Sequence, residues 1–327
     1  MTIYDIAREA GVSASTVSRV INDKPGVNKA TREKVRALLE RHHYVPNEAA
    51  RGLVTSSSRL VGVLVADIRN QHHIEGAYYI VQELSKLGYS ALLLNTGGSD
   101  GERAAGIRML QTRKVEAAVL MGSIFQTEAV REAIADSLAD VPVFMLNGEI
   151  DLPNVYCVLS DDRAGTAAAV AHLASKGRKR IAFLLDQMTP SSRLKLAGYE
   201  DGAAQCGGER IVISGAAGSV QGGREAMETL LARHPDIDGV VCSLDIIACG
   251  AMQAIFASGR SVPQDVSVIG TDNSVYCEIC TPQLTSVNTM IFESGVMIAH
   301  KLVDCLEGRG TNQKTMLFTS IVERGSV

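Results

Sequence analysis

At 327 residues, 46% hydrophobic and 21% charged, the chain is long enough for two or three domains and apolar enough to pack them. No apolar run reaches the roughly 18 residues of a membrane span. The N-terminal MTIYDIAREAG, charged at Asp5, Arg8 and Glu9, lacks the basic start and apolar stretch of a signal peptide, so a cytoplasmic protein is expected. The net charge of −4 conceals a division: residues 1–60 hold ten Lys and Arg against six Asp and Glu, while the remaining 267 hold twenty-two against thirty. A basic head on an acidic body points the head at a polyanion, although ordinary compositional fluctuation would give the same surplus.

The head reads as three short helices. Thr2 is placed to cap IYDIAREA, with Asp5 three residues on completing a capping box, and Ile3, Ile6, Ala7 and Ala10 form one apolar stripe. Gly11 ends that helix. Ser13 caps a second helix, whose inner stripe is Val17, Val20 and Ile21, leaving Ala14, Ser15, Ser18 and Arg19 on other faces. NDKPG at 22–26 breaks the chain; Asn28 caps a third helix with Val35, Leu38 and Leu39 inward and Arg32, Lys34, Arg36 and Arg41 largely outward. Helix, short glycine turn, helix is the helix-turn-helix pattern. Small hydroxyls would let the second helix sit deep in a major groove about 12 Å wide, and Arg19 can fork onto a guanine. A surface helix on any small bundle would show the same residues. Next, Pro46 stops the third helix, Asn47 can cap EAARGLV, and TSSSR reads as a linker. A segment of two turns holds no helicity alone, so a twin chain or DNA would have to order it.

The strings TIYDIAREAGVSASTVSRVIN, VNKATREKV and YVPNEAARGL resemble the DNA-binding head of the lactose-repressor (LacI/GalR) family in spacing as well as residue type. The resemblance implies that Ala14, Ser15 and Arg19 read bases, that Thr2, Tyr4, Ser13, Thr16, Ser18 and Asn22 contact or frame phosphates, and that Leu53 of each subunit wedges into the minor groove; Asn47 joins this DNA-facing set. Gly52 departs from the family, where Ser or another helix former is common, and weakens a hinge helix by ~1 kcal/mol.

From Leu60 apolar runs alternate with segments of helical length. Strands are expected at 60–66, 90–94, 115–121 and 141–146, and a second set at 155–159, 180–185, 209–213, 238–243 and 265–269. Two sets split near residue 158 indicate two doubly wound parallel-sheet lobes, the architecture of periplasmic binding proteins. Ligands bind beyond the carboxyl ends of such strands. Polar groups collect there: DIRNQHH (67–73), Ser123, Asn147, SDDR (160–163), DQMTPSSRLK (186–195), Asp245 and TDN (271–273). Such side chains suit the vicinal hydroxyls of a sugar or a similar ligand; for Ser160 and Asp245, helix capping is the alternative reading.

KLAGY (195–199), SVPQDVSVIGTDN (261–273) and PQLTSV (282–287) carry the family resemblance to about residue 322. It implies an effector pocket of His72, His73, Ser123, Asn147, Arg193, Lys195, Asp245 and Asp272, in a body whose lobes are 60–158 with 289–317 and 159–288 with 318–327. The head would be 1–45, the hinge and linker 46–59, and the effector-binding and dimerisation domain 60–327. Relatives carry an aromatic pair where His72 and His73 stand, an arginine in place of Lys195 and often Asn in place of Leu244. A sugar or sugar derivative is the leading expectation; the histidines and Lys195 would also admit an anion such as a sugar phosphate.

No nucleophile elbow, dinucleotide fingerprint or P-loop occurs, and NTGGSDG (95–101) lacks the lysine of a phosphate loop. The HH pairs at 42–43 and 72–73 point different ways on a helix, so no metal or cofactor is expected. The seven cysteines, an odd number, argue against a disulfide framework, and CEIC (277–280) stands without a second pair, so plain thiols are expected there, with a redox or metal role as the alternative. A solute-binding protein or a sugar-modifying enzyme on the same body would leave the basic head unexplained. The reading is an effector-switched, homodimeric DNA-binding regulator of a pseudo-palindromic operator, by family default a repressor, with no membrane partner.

Overall fold

The computed structural model describes residues 1–21, 23–44 and 57–327, and the chain divides into two compact units, Met1–Ser58 and Arg59–Val327. Pro46 and the expected hinge helix, with Asn22, Asn47, Gly52 and Leu53, lie outside the described residues.

In the first unit α1 (Ile3–Ala10), α2 (Ala14–Ile21) and α3 (Lys29–Arg41) enclose a small core of Ile6, Ala7, Ala10, Val17, Val20 and Val35. Thr2 and Asp5 form the capping box, and Gly11 closes α1 at φ +71°, a left-handed conformation that glycine adopts without a Cβ penalty. Asn28 Oδ1 accepts from Thr31 N at 2.8 Å to start α3. Of the arginines expected outward, Arg36 is exposed and Arg32 half-buried, and both also have structural work. Arg32 and Arg36 both engage Asp23, and Arg32 also donates to the Lys24 carbonyl, so α3 latches the loop that follows α2. At the far end of α3, His42 Nε2 lies 2.8 Å from Glu9, tying it to α1.

The second unit holds two six-stranded sheets. The first contains β1 (Leu60–Val65), β2 (Ser90–Asn95), β3 (Ala117–Met121), β4 (Val143–Leu146), β5 (Val155–Ser160) and β11 (Lys314–Leu317), in the order 11-5-4-3-1-2 and all parallel. The second contains β6 (Ile181–Leu185), β7 (Ile211–Ser214), β8 (Gly239–Cys242), β9 (Ser267–Thr271), β10 (Thr285–Asn288) and β12 (Ser320–Val322), in the order 12-10-9-8-6-7, with β12 alone antiparallel. Both faces of each sheet are apolar. In the first, Leu64, Leu120 and Met145 pack one way and Val63, Val119 and Phe144 the other, which is why the strands read as unbroken apolar runs.

Helices α4 (Gln71–Lys86), α5 (Asp100–Thr112), α6 (Glu128–Ser137) and α12 (Ile291–Leu306) belong to the first lobe. Helices α7 (Asp162–Ser175), α8 (Pro190–Gln205), α9 (Val220–Arg233), α10 (Asp245–Ala257) and the short α11 (Tyr276–Ile279) belong to the second. Two sequence expectations need correction. The 155–159 strand, grouped with the second set, pairs with β4 and β11 in the first sheet; sheet membership is decided by pairing, which an apolar run does not encode. No helix separates β4 from β5 either, and residues 147–154 make that parallel connection as a loop.

The chain passes between the lobes three times, at 160–162, 288–291 and 317–320. The crossings lie side by side. Ser160 Oγ donates to the Thr289 carbonyl at 2.5 Å, Asp161 N to the Leu317 carbonyl at 3.0 Å, and Thr319 Oγ1 to the Asp161 carbonyl at 3.4 Å. Met290 takes φ +59° at the second crossing.

Candidate DNA-reading face and effector cleft

The N-terminus of α2 is organised by its own hydroxyls. Ser13 Oγ accepts from Thr16 N at 3.2 Å and lies 2.8 Å from Ser15 Oγ and 2.9 Å from Thr16 Oγ1. Free N–H groups at a helix start favour anions, so this end suits a phosphate. Ser13, Ser15 and Arg19 are exposed, Thr16 and Ser18 half-buried. Ala14 is half-buried against the head core, so it offers less free surface than the sequence suggests. Tyr4 is 70% exposed, a large aromatic with most of its ring in water. Thr2 is exposed, but its hydroxyl already donates to Asp5 Oδ2 at 2.7 Å, so it frames α1 first. The same hydroxyl, with the Thr2 backbone, holds the Asp5 carboxyl below its usual range.

In the second unit a cavity of about 450 Å³ opens between the carboxyl ends of the two sheets, lined by Asn70, His72, His73, Leu244, Asp272 and Tyr276 among others. A smaller chamber of about 130 Å³ adjoins it, shares His72, His73, Asp186 and Asp272, and adds Ser123, Asn147, Asp162 and Lys195. Asn70 caps α4 by accepting from His73 N at 3.1 Å, which sets both histidines in the first turn at the cavity wall. Their rings lie 6.0 Å apart and tilted by 58°. Gly122, at φ +99°, lies against His73: a Cβ there would come within 2.5 Å of Nε2.

Charge is distributed unevenly. Lys195 is 6% exposed and donates to the Ser243 carbonyl at 2.9 Å. Burial alone would lower its pKa, but Asp162, Asp272, Asp186 and Asp245 outweigh that and hold it above the usual lysine value. Burial pushes His72 down to about 4 and His73 to about 3, with Lys195 adding to both, so neither ring carries a proton near neutral pH. Burial raises Asp245 and Asp272 above the usual carboxylate range. At the rim, the Arg69 side chain holds Asp67 down to about 2. Among the residues lining the two chambers, Asp67, Asp162, Asp186, Asp245 and Asp272 outnumber the cations Arg69 and Lys195.

The carboxylates are engaged to different degrees. Asp245 is consumed by structure: Oδ2 accepts from Ser274 N at 2.7 Å and Ser274 Oγ at 2.8 Å, and Oδ1 from Ser286 Oγ at 2.6 Å. It braces the loop after β9 and is neither a helix cap nor a free ligand group. Asp186 accepts from Ser192 and Ser243, and Asp162 from Ser191. Asp272 stands at φ +109°, a strained position for a non-glycine residue. His72 Nδ1 is 3.4 Å from its Oδ1 but misaligned, so that nitrogen and His73 Nδ1 are buried without hydrogen-bond partners.

Asn147, at φ +50°, spends its Oδ1 on Ser160 N. Ser123 Oγ accepts from Ser191 N at 3.1 Å, bridging the lobes. Ser160 ties two crossings, while Asp161 caps α7. Arg193 is exposed and lies outside both chambers, in a shallow depression beside Gly98 and Thr127. The buried face of α8 runs through Ser192, Lys195 and Tyr199, at three- and four-residue spacing, and Arg193 is out of phase with it. The same spacing in the sequence could have excluded it. Asp162 and Asp186 fell within segments flagged from sequence but were not singled out.

No described helix is long and apolar enough to cross a membrane, and no group of three or more metal-ligating residues occurs among the described residues. Residues 2–47 match the model for bacterial regulatory proteins of the lacI family, and residues 170–327 match a periplasmic binding protein-like domain. An HTH-type transcriptional regulator of Lachnoclostridium phytofermentans is 31% identical over 99% of this chain and 98% of its own. The lac repressor dimer bound to operator and the anti-inducer ONPF superposes with a TM-score of 0.92 at 26% identity, covering 100% of this chain and 98% of that one. The transcriptional regulator CelR in complex with cellobiose gives a TM-score of 0.74 at 28% identity, covering 100% of both chains. With a helix-turn-helix head, two lobes and relatives matched along their whole length, the chain belongs to the lacI family of bacterial transcriptional regulators.

Proposed function

We propose that this regulator is a repressor that binds a pseudo-palindromic operator as a homodimer and is switched by a small polyhydroxylated effector held between its lobes. In this reading residues 1–45 are the DNA-binding domain, 46–59 the hinge, and 60–327 the effector-binding and dimerisation domain. Ser15 and Arg19, with Ala14 beside them, read bases; Tyr4, Ser13, Thr16, Ser18, Asn22 and Asn47 contact or frame phosphates; Leu53 wedges the minor groove. The solved complexes of the lac repressor with operator and of CelR with cellobiose support both halves of the proposal.

The observation that carries the effector half is the cavity itself. It holds buried acceptors at Asp162 and Asp272, a half-buried one at Asp186, two unpartnered histidine nitrogens, and apolar surface from Leu244, Ile124 and Tyr276. Carboxylates accept from hydroxyls, imidazole nitrogens accept or donate, and the apolar residues cover a ring face. Charge balance favours a neutral or amine-bearing polyol over a phosphorylated one. Ligand that prefers one lobe arrangement shifts the population toward it, and by no more than its differential affinity.

The experiment is a thermal-shift screen of the full chain against neutral sugars, amino sugars and sugar phosphates, followed by operator selection with and without the hit. Stabilisation by neutral or amino sugars, with altered operator retention, is expected. Stabilisation by phosphorylated sugars alone would overturn the effector class. Failure to retain any duplex from a randomised pool at low salt would overturn the regulator reading.

A further inference from the structure

The sequence offers CEIC as its one CxxC pair, yet the fold separates its two thiols. Cys277 is buried in the second lobe's core, whereas Cys280, half-buried, turns toward α10. There its Sγ lies 3.1 Å from the Sγ of Cys249, a residue 31 positions earlier and one turn into the helix that begins at Asp245. All seven cysteines are free thiols. We propose that Cys249 and Cys280 form an oxidisable dithiol site, at which a peroxide joins α10 to the segment after β9 by a disulfide. The inference stands whatever the effector is, because it rests on the two sulfurs alone.

The chemistry follows from the pairing. The two sulfurs are within hydrogen-bond reach, and either can donate; the contact holds Cys280 below the usual thiol range and Cys249 above it. Cys280, the more accessible of the two, is therefore the attacking thiolate. It attacks one peroxide oxygen; the O–O bond breaks, hydroxide leaves and takes up the proton lost by Cys280, and Cys280 becomes a sulfenic acid. The Cys249 sulfur then attacks the Cys280 sulfur. The S–S bond forms, the S–O bond breaks, and the departing hydroxide takes the Cys249 proton. Two thiols and one hydrogen peroxide give one disulfide and two waters. The consequence lies beside the cavity: α10 begins with Asp245, and the joined segment carries Asp272, Ser274 and Tyr276. A covalent link there restrains the strand end whose Asp272 carboxylate lines the cavity.

The test is to treat the purified full-length protein with hydrogen peroxide, block remaining thiols, digest with trypsin without reductant and map linked fragments. The fragment 234–260 should be joined to the fragment 261–301, and the free-thiol count should fall from seven to five. The link should persist in Cys277→Ser and Cys242→Ser and vanish in Cys249→Ser and Cys280→Ser. Because Cys280 is half-buried, its variant keeps the test decisive even if Cys249→Ser fails to fold. A link that survives Cys280→Ser, a Cys277–Cys280 link, or oxidation of Cys280 to sulfinic acid with no link would each overturn the proposal.

Discussion

The head and the cleft both carry polar side chains where a core would not, but they manage them in opposite ways. On α2 Ser13, Ser15 and Arg19 face water, and Ser13 leans on Ser15 and Thr16, so polarity costs little and stays available to a polyanion. In the cleft Lys195, His72 and the carboxylates are buried, and each affects its neighbour's protonation. Changes in the cleft should therefore show in folding stability, and changes on the head in binding.

The largest effect is expected at Lys195. Lys195→Met takes the cation away from buried Asp162, Asp245 and Asp272 and half-buried Asp186, and leaving buried charge uncompensated costs up to about 3–5 kcal/mol. Urea unfolding at neutral pH measures it; a loss under about 1 kcal/mol would put the cleft in the same class as an exposed surface. The next concerns acid. His72 has a folded pKa of about 4 against 6.5 unfolded, so below pH 6.5 the unfolded chain takes up the proton first. Stability from the neutral ring is full above pH 6.5 and drains away as pH falls toward 4, on the order of 3 kcal/mol. Asp245 and Asp272 work in the opposite sense, gaining stability as pH falls, in wild type and variant alike. Unfolding midpoints from pH 7 to 4.5 should therefore fall less steeply in His72→Gln than in wild type, and parallel profiles would count against a buried neutral His72.

On the head, Arg19→Ala should weaken a selected operator by about 1–3 kcal/mol and relax choice at one base pair per half-site, with unfolding unchanged. Equal affinity in a filter-binding titration at fixed salt would remove its reading role. The smallest effect is expected of Thr2→Ala. Loss of the capping box should cost α1 about 1 kcal/mol, read as faster amide exchange in α1 with no change in the second unit.

Much of the fold is legible in sequence because buried parallel strands are written as unbroken apolar runs. LVGVLV, AAVLM and GVVC start within two residues of expectation. KTML and SIV are short and partly exposed, and only their pairing marks them as strands. The cleft was legible as segments rather than as residues. Strand ends announced where polar groups gather, but which of Asp186, Arg193 and Lys195 turns inward depends on the phase of α8, and the use of Asp245 depends on Ser274 and Ser286 arriving from elsewhere. The Cys249–Cys280 pairing had no sequence signal, because its partners come from different elements while the visible CxxC spacing joins the wrong two.

The three crossings between the lobes act as a strap hinge. Single tethers let two bodies twist and slide; three laid edge to edge and stapled by Ser160, Asp161 and Thr319 leave one soft rotation, the opening and shutting of the jaws. A guest that drew the jaws together would work along that single coordinate, and a small swing near the pivot would become a larger displacement at the outer rim of each lobe.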